Sequence, residues 1–407
     1  MTYLIIFVLL IWLTYRYDYK RIDTHKITWI VITWLLFVLV AGLRYRIGTD
    51  SIRYETYYGE IPGLGELSLY DFKDARYSRY APGFIFLNSV VKTFADDFTA
   101  FQFVHALIVC SAVVFFFCKN TRNVFFALTM FYVFQYLNLL TEVLRESLAI
   151  SVFLLAWPFF KDGKWIKWYL MSIVAMLFHV SATLMLFLPL LCVPGIKELF
   201  IFGKRTILLC MFIILLAIAI NKMFFQYIQL LEIADNISER ANAYSKSNYG
   251  TSNLNILGVL AKFIVYMAYP IIAMCFINIK KKGAKLGNDV VKEEMLAVLG
   301  LYVVIFSMFI HILDRFNNYL IFFSILIVSR FVFDIIPILG REVRFKYIYW
   351  LLFLSPMFAG QIYSAYVAGG SKGGTYKAYM AYYPYSSRIE MSKDMSREKY
   401  FRYMRAR

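Results

Sequence analysis

The sequence predicts an all-α, polytopic integral membrane protein with roughly 11–13 transmembrane or partial helices. Three observations carry this. The 407 residues are 61% hydrophobic with a mean hydropathy of +0.61, whereas a soluble domain is about half apolar. Uncharged apolar runs recur along almost the whole chain. Period-2 alternation is lacking, which argues against a barrel, and backbone groups in lipid must be satisfied within their own segment, so the runs are helices.

The net charge of +17 sits mostly in short loops and the C-terminal tail. That is the pattern of cytoplasmic loops and gives no reason to expect a nucleic-acid partner. The five cysteines (Cys110, Cys118, Cys192, Cys210 and Cys275) lie in or beside apolar segments. They give neither a disulfide framework nor a metal spacing. Positive charge follows the first apolar run rather than preceding it, so no cleavable signal peptide is expected.

Taken in order, Tyr3–Tyr15 is a short apolar run followed by Arg16, Lys20, Arg21 and Lys26, so it runs inward by the positive-inside rule. Ile27–Leu43 returns to the outer face and delivers GLRYRIGTDSIRY, Gly42 to Tyr54, outside the cytoplasm. Ala81–Phe94 is apolar but short, a partial or interfacial helix; if it does not span, Lys119, Arg122, Lys161, Lys164 and Lys167 all fall inside. Phe101–Cys118 goes in, Val124–Leu140 out and Ser147–Phe160 in. Trp165–Leu191 would measure about 40 Å as one helix, too long for one span and too short for two, which predicts a break near His179. Ile207–Ile220, Leu254–Ile277, Met295–Ile312, Phe316–Phe333 and Tyr347–Tyr366 complete the membrane domain, residues 1–366, with outer loops at 44–98 and 221–253. Residues 367–407 form a glycine- and tyrosine-rich, then basic, tail that this count leaves outside, against the charge rule.

Several constellations could carry chemistry. Arg44, Arg46 and Arg53 with Asp50 follow directly on an apolar run. Their guanidinium forks match phosphate oxygens; a solvated basic loop anchoring a helix end is the plainer alternative. Glu142 and Arg145 are spaced to share a helix face, as an ion pair or as part of a site. His179, in an apolar run, is a packing residue or a proton carrier. His311, Asp314 and Arg315 can face one way as a helix-end cluster or a site. Tyr54, Tyr382, Tyr383 and Tyr385 can stack on sugar rings or anchor an interface. No phosphate-binding glycine loop, HExxH, CxxC or GxSxG occurs, and no aspartate pair marks a sugar-nucleotide metal site. No cofactor and no metal are therefore expected, with arginine in place of a metal to hold phosphate.

GLRYRIGTDSIRY, LTEVLRESLAISVFLLA (Leu140–Ala156), MLFHVSA (Met176–Ala182) and YYPYSS (Tyr382–Ser387) resemble, in order and spacing, the EpsG-type branch of Wzy-like bacterial polysaccharide polymerases. The resemblance implies a multi-pass glycosyltransferase of the bacterial inner membrane facing the periplasm or outside. Such an enzyme joins oligosaccharide repeat units carried on undecaprenyl diphosphate into capsular, exo- or O-antigen polysaccharide. It implies lipid-linked donor and acceptor as partners, with membrane lipids, a chain-length regulator and a flippase around them. Arg44, Arg46 and Arg145, with Arg315, would hold the diphosphate. Glu142, Asp50 or His179 would act as base, and Tyr54, Tyr382 and Tyr383 would bind sugar in an inverting displacement. Two departures stand out. Family members often carry glutamine where this chain has Glu146, and Arg240 to Gly250 is one residue short of the long RX10G motif. The rival readings are a lipid-linked oligosaccharide flippase and an O-antigen-ligase-like transferase.

Overall fold

The computed structural model describes residues 2–68, 70–72, 80–203, 205–206, 208–210, 212–213, 270–272, 274, 288–307, 313–335 and 378–405. Among these the chain is helical, with one isolated antiparallel bridge and no strand. It falls into two compact units, one of residues 1–187 with 362–407 and one of residues 188–361.

In the first unit the helices are α1 (Thr2–Leu13), α2 (Lys26–Gly42), α3 (Ser51–Glu60), α4 (Pro82–Phe94), α5 (Phe98–Asn120), α6 (Val124–Phe131), α7 (Leu144–Lys161) and α8 (Trp165–Met176). α5 is long and apolar enough to cross a membrane. α2 packs along it because Gly42 permits contact: a Cβ there would lie 2.7 Å from the Phe103 ring. Gly42, the last residue of α2, thus serves close packing. Trp34 Nε1 donates to Ser111 Oγ at 3.0 Å across the same pair.

Within a mostly apolar interior, several polar side chains are buried between helices, while apolar stripes face outward. Gln102, His105, Thr129, Gln135, Ser147, Ser151 and Ser172 are buried. Ile27, Val31, Leu35 and Leu39 form an exposed apolar stripe on α2, and Ile166, Leu170 and Ile173 form another on α8. Such stripes suit lipid rather than water, and buried polar groups on apolar helices tie helices together.

The basic turns gather at one end. Arg21 donates to Asn123 Oδ1 at 2.7 Å and Lys26 Nζ to the Arg122 carbonyl at 3.0 Å. Trp157 near the end of α7 reaches Asn120 at 3.2 Å. The turns 14–26, 120–123 and 157–164 thus share a side, as expected if α4 does not span. α4 is a 13-residue helix with Pro82 in its first turn, packed with α3: Ser89 donates to the Pro62 carbonyl and Tyr58 to that of Ala95, both at 2.6 Å.

The long run after Trp165 breaks as expected. α8 ends at Met176, His179 is extended, and short helical turns at Val180–Thr183 and Leu184–Phe187 follow. A second break has no signal in the sequence. After α6 the chain continues as π-helical turns to Glu142, Val143 leaves helical geometry (φ −105°, ψ 51°), and α7 starts at Leu144.

The second unit contains α9 (Asn288–Ser307) and α10 (Asp314–Arg330). They run antiparallel, since Glu293 near the start of α9 pairs with Arg330 at the end of α10. Gly300 lets them approach, with Leu320 3.4 Å from the position of a Cβ. Phe202 N–H donates to buried Glu294 at 3.2 Å. α10 with its π-helical extension also meets the length and apolarity of a membrane span. His311 and the expected loop at 221–253 lie outside the described residues.

Candidate functional site

At the end of the first unit opposite the basic turns, five segments meet: the loop 43–50, α3, the 142–144 break, the start of α5, and the tail 378–405. The tail pairs with the loop. Tyr45 N–H donates to the Ser386 carbonyl at 2.8 Å and Arg388 N–H to that of Leu43 at 2.7 Å, around the Arg44–Ser387 bridge. Gly48 N–H donates to the Ala381 carbonyl at 3.0 Å. The basic tail, which the charge rule would put inside, therefore lies with the Arg44 loop. The last helix, α11 (Met395–Arg405), is capped by Asp394, whose carboxylate accepts Arg397 N–H at 2.8 Å.

Glu142 holds these pieces together. Its carboxylate accepts Thr49 N–H at 2.8 Å, Tyr382 Oη–H at 2.7 Å and Asp50 N–H at 3.4 Å, and it bonds the Thr49 hydroxyl. Burial and the Glu142 carboxylate push the Tyr382 phenol well above its ordinary range, so it stays a donor. Gly48 has φ +100°, and a Cβ there would lie 2.8 Å from Thr141 Cβ and 2.9 Å from its carbonyl. Only glycine fits that approach without strain. Because Val143 interrupts the helix, Glu142 and Arg145 do not share a helix face: Glu142 faces the loop and tail, Arg145 an aromatic group.

Of the four predicted arginines, the three in the first unit are held in three different ways. Arg44 is 2% exposed, and its Nη1 bonds the Ala41 carbonyl at the end of α2. Tyr136 and Tyr385 donate to the neighbouring carbonyls of Phe37 and Val40 at 2.8 and 3.0 Å. A cation at a helix C-terminus is favourable. Yet Nε and Nη2 of Arg44 have no hydrogen-bond partner among the described residues. Burial pushes this guanidinium down to about 10, against the opposing pull of Tyr136, Tyr3, Tyr385 and Glu142, so it is charged at neutral pH.

Arg46 has φ +52°, the left-handed region that a non-glycine residue rarely adopts. Its fork grips Glu398, Nε to Oε1 at 2.6 Å and Nη2 to Oε2 at 2.9 Å, with Glu55 at 3.8 Å. The hydrogen bonds from Arg46 hold the Glu398 carboxyl below the usual range.

Arg145 lies over the Tyr80 ring at 5.0 Å. Tyr80 stacks close to Tyr57 (3.9 Å between centroids) and Phe84 (5.7 Å). Tyr54, 5% exposed, completes the wall; burial pushes its phenol up to about 12, with Arg145 opposing and Asp50 assisting. Arg145, Tyr54 and Asp50 thus form one neighbourhood. Asp50 is 41% exposed, with Arg53 loosely opposite at 3.7 Å.

Of the other predicted residues, His179 caps its own turn: Nδ1 meets Ser181 Oγ at 2.6 Å and Ser181 N–H at 3.2 Å. Its segment adjoins the aromatic wall, since Phe178 packs there and Gly83 N–H donates to the Leu177 carbonyl at 2.7 Å. Tyr383 is exposed. Arg315 stands in the first turn of α10, in the second unit. Among the described residues no group of three His, Cys, Asp or Glu could hold a metal ion.

Sequence reasoning missed Tyr80, His105, Arg397 and Glu398. His105 is fully buried, with Nε2 2.8 Å from Ser147 Oγ and 3.1 Å from the Leu144 carbonyl, and so braces the start of α7. Its signal, a histidine in an apolar run, is the one that singled out His179. Nothing local in sequence joins Glu398 to Arg46.

A family model for the EpsG family matches residues 27–387. The chain belongs to the EpsG family. No curated protein and no solved structure matches it. EpsG membership and the apolar helices indicate a polysaccharide-polymerase-like membrane protein. The matched span takes in the loop, the 142–144 break, the His179 turn and the tail to Ser387, and stops short of α11.

Proposed function

We propose that this EpsG-family chain is a multi-pass glycosyltransferase of the bacterial inner membrane. It polymerises oligosaccharide repeat units carried on undecaprenyl diphosphate, at a site facing the periplasm or outside. The observation that supports the reading is Arg44: a buried cation with two nitrogens that lack a hydrogen-bond partner among the described residues, at the end of the first unit where the loop and the tail pair. A buried unpaired charge costs several kcal/mol, and a helix terminus offsets about 2 kcal/mol at most. The remainder is a standing demand for an anion, which a diphosphate meets.

In this reading Arg44, Arg145 and Arg46 take the diphosphate. The acceptor hydroxyl attacks the anomeric carbon of the donor sugar. Its proton passes to Asp50, and the bond from that carbon to the diphosphate oxygen breaks, the electron pair leaving on the diphosphate. The result is one new glycosidic bond with inverted configuration and free undecaprenyl diphosphate. Asp50 is preferred as base because its carboxylate is 41% exposed and, like Arg145, acts on Tyr54. Glu142, occupied by Thr49 and Tyr382, positions Asp50 and the tail. Charge stabilisation of this kind is worth about 10²–10³ in rate per group, and a general base about 10²–10⁴.

The test is polymer formation from purified lipid-linked repeat unit, with wild type beside Asp50→Asn and Arg145→Ala. A ladder from wild type, lost in both folded variants, is the expected result. A folded wild type that makes no ladder but moves the lipid-linked unit between vesicle leaflets would replace this reading with a transporter. A product of retained configuration would overturn single displacement.

A further inference from the structure

Arg397 lies on α11, ten residues past the family-matched span, and is 1% exposed. Its guanidinium bridges the two paired segments. Nη1 donates to Ser386 Oγ at 3.1 Å, the Arg46 carbonyl at 3.4 Å and that of Tyr45 at 3.5 Å; Nη2 donates to the Pro384 carbonyl. The next residue, Glu398, fills the fork of Arg46. One turn of α11 therefore holds Arg46 twice, by its backbone and by its side chain. The backbone held in this way is the part of the loop under strain, with Arg46 at φ +52° followed by Gly48 at φ +100°. A non-glycine residue in the left-handed region persists only where its surroundings over-determine it. Here the surroundings are the tail: Tyr45 and Gly48 give their N–H groups to Ser386 and Ala381, and Arg397 takes the intervening carbonyls. α11 is itself anchored by Tyr400 and Phe401, buried with Ala381 against Ile52 of α3.

We propose that Arg397 is a positioning residue for the anion site: it fixes the Arg44–Gly48 turn, and so the direction of Arg44 and Arg46, from outside the family-matched part of the chain. That the anion is a lipid diphosphate rests on the function proposed above; the positioning itself does not. The planar fork is essential, because a single ammonium cannot span both segments.

The experiment uses full-length protein in nanodiscs: wild type, Arg397→Ala and Arg397→Lys. Binding of radiolabelled undecaprenyl diphosphate is measured alongside amide hydrogen exchange. Arg397→Ala is expected to weaken binding about tenfold and to speed exchange at the Tyr45 and Gly48 amides at least tenfold, with exchange in α5 and α7 unchanged. Methylguanidinium is expected to restore both in Arg397→Ala, and Arg397→Lys to restore neither fully. Unchanged exchange at Tyr45 and Gly48, or equal acceleration throughout the first unit, would overturn the proposal. Should Arg397→Ala fail to fold, Arg397→Lys carries the same exchange test. If wild type binds no undecaprenyl diphosphate, the substrate reading fails while the exchange arm still decides the positioning role.

Discussion

The contact between Tyr382 and Glu142 joins residues 240 positions apart, and a double-mutant cycle on it measures whether the tail is built into the site. Tyr382→Phe deletes one donor to a carboxylate without changing the ring. A hydrogen bond to a charged group contributes roughly 1.5–3 kcal/mol, and half-burial puts this one near 1.5 kcal/mol. Glu142→Gln removes the charge and turns one acceptor into a donor. The Thr49 hydroxyl can rotate to accept from the new amide, but Asp50 N–H loses its acceptor, for a cost of about 2 kcal/mol. In the Glu142→Gln background the Tyr382 hydroxyl bonds a neutral amide, worth roughly 0.5–1 kcal/mol, so removing it there costs less. The cycle should return a coupling of about 0.5–1 kcal/mol. For a unit of this size the upper end is about 2–4 °C in thermal midpoint, followed by tryptophan fluorescence in detergent. The Tyr382 phenol is pushed well above its ordinary range, so the coupling should hold from neutral to mildly alkaline pH. Additivity within about 0.3 kcal/mol would mean that the two residues do not interact and that the tail is not docked on the 142–144 break.

Three further outcomes follow from the same geometry. Gly48→Ala should destabilise the first unit by roughly 2–4 kcal/mol, from left-handed strain plus the 2.8 Å approach to Thr141, while Gly59→Ala, where nothing lies within 4 Å, should be near neutral or stabilising; thermal midpoints compare them. Tyr80→Leu should lose the cation–π contact with Arg145, about 0.5–2 kcal/mol, and weaken binding of undecaprenyl diphosphate, whereas Tyr80→Phe should not. Because Arg46 holds the Glu398 carboxyl below its unfolded value, that pair contributes stability that is complete above about 4.5 and is lost as pH falls through the folded value. Wild type should therefore lose more tail protection between pH 6 and 3 than Glu398→Gln, read by hydrogen exchange at α11.

The helical class was legible because it depends on long-range composition, which no single residue can disguise. The break at His179 was legible because helix length is set by bilayer thickness, and the run after Trp165 fits neither one span nor two. The break at Val143 left no such trace: its neighbours are good helix formers, and the reason to leave the helix is tertiary, since Glu142 turns to the Thr49 and Tyr382 donors. The arginines stood out in the sequence because guanidinium forks directly after an apolar run suit phosphate oxygens as well as an interface. Their partners did not, because Arg46 meets Glu398 across 352 positions and Arg145 meets a tyrosine that no periodicity marks.

How the arginines are partnered decides which of them an incoming anion gains from most. A carbonyl oxygen lowers the energy of a cation without cancelling its charge, and that is what Arg44 has at Ala41; the Tyr80 ring face does the same for Arg145. Arg46 is already neutralised by a bidentate carboxylate, so a phosphate must displace Glu398 to reach it, an exchange of one charge-assisted pair for another. The net gain at Arg46 is thus a difference of similar terms, while at Arg44 it also satisfies two buried nitrogens that lack a hydrogen-bond partner among the described residues. Binding of undecaprenyl diphosphate should fall about a hundredfold in Arg44→Met and only a few-fold in Arg46→Met. Combining Arg46→Met with Glu398→Gln should cost nothing more than Arg46→Met alone. Titration of the labelled lipid diphosphate against these variants in nanodiscs gives the order. Equal losses at Arg44 and Arg46 would mean that the Glu398 carboxylate does not compete with the ligand.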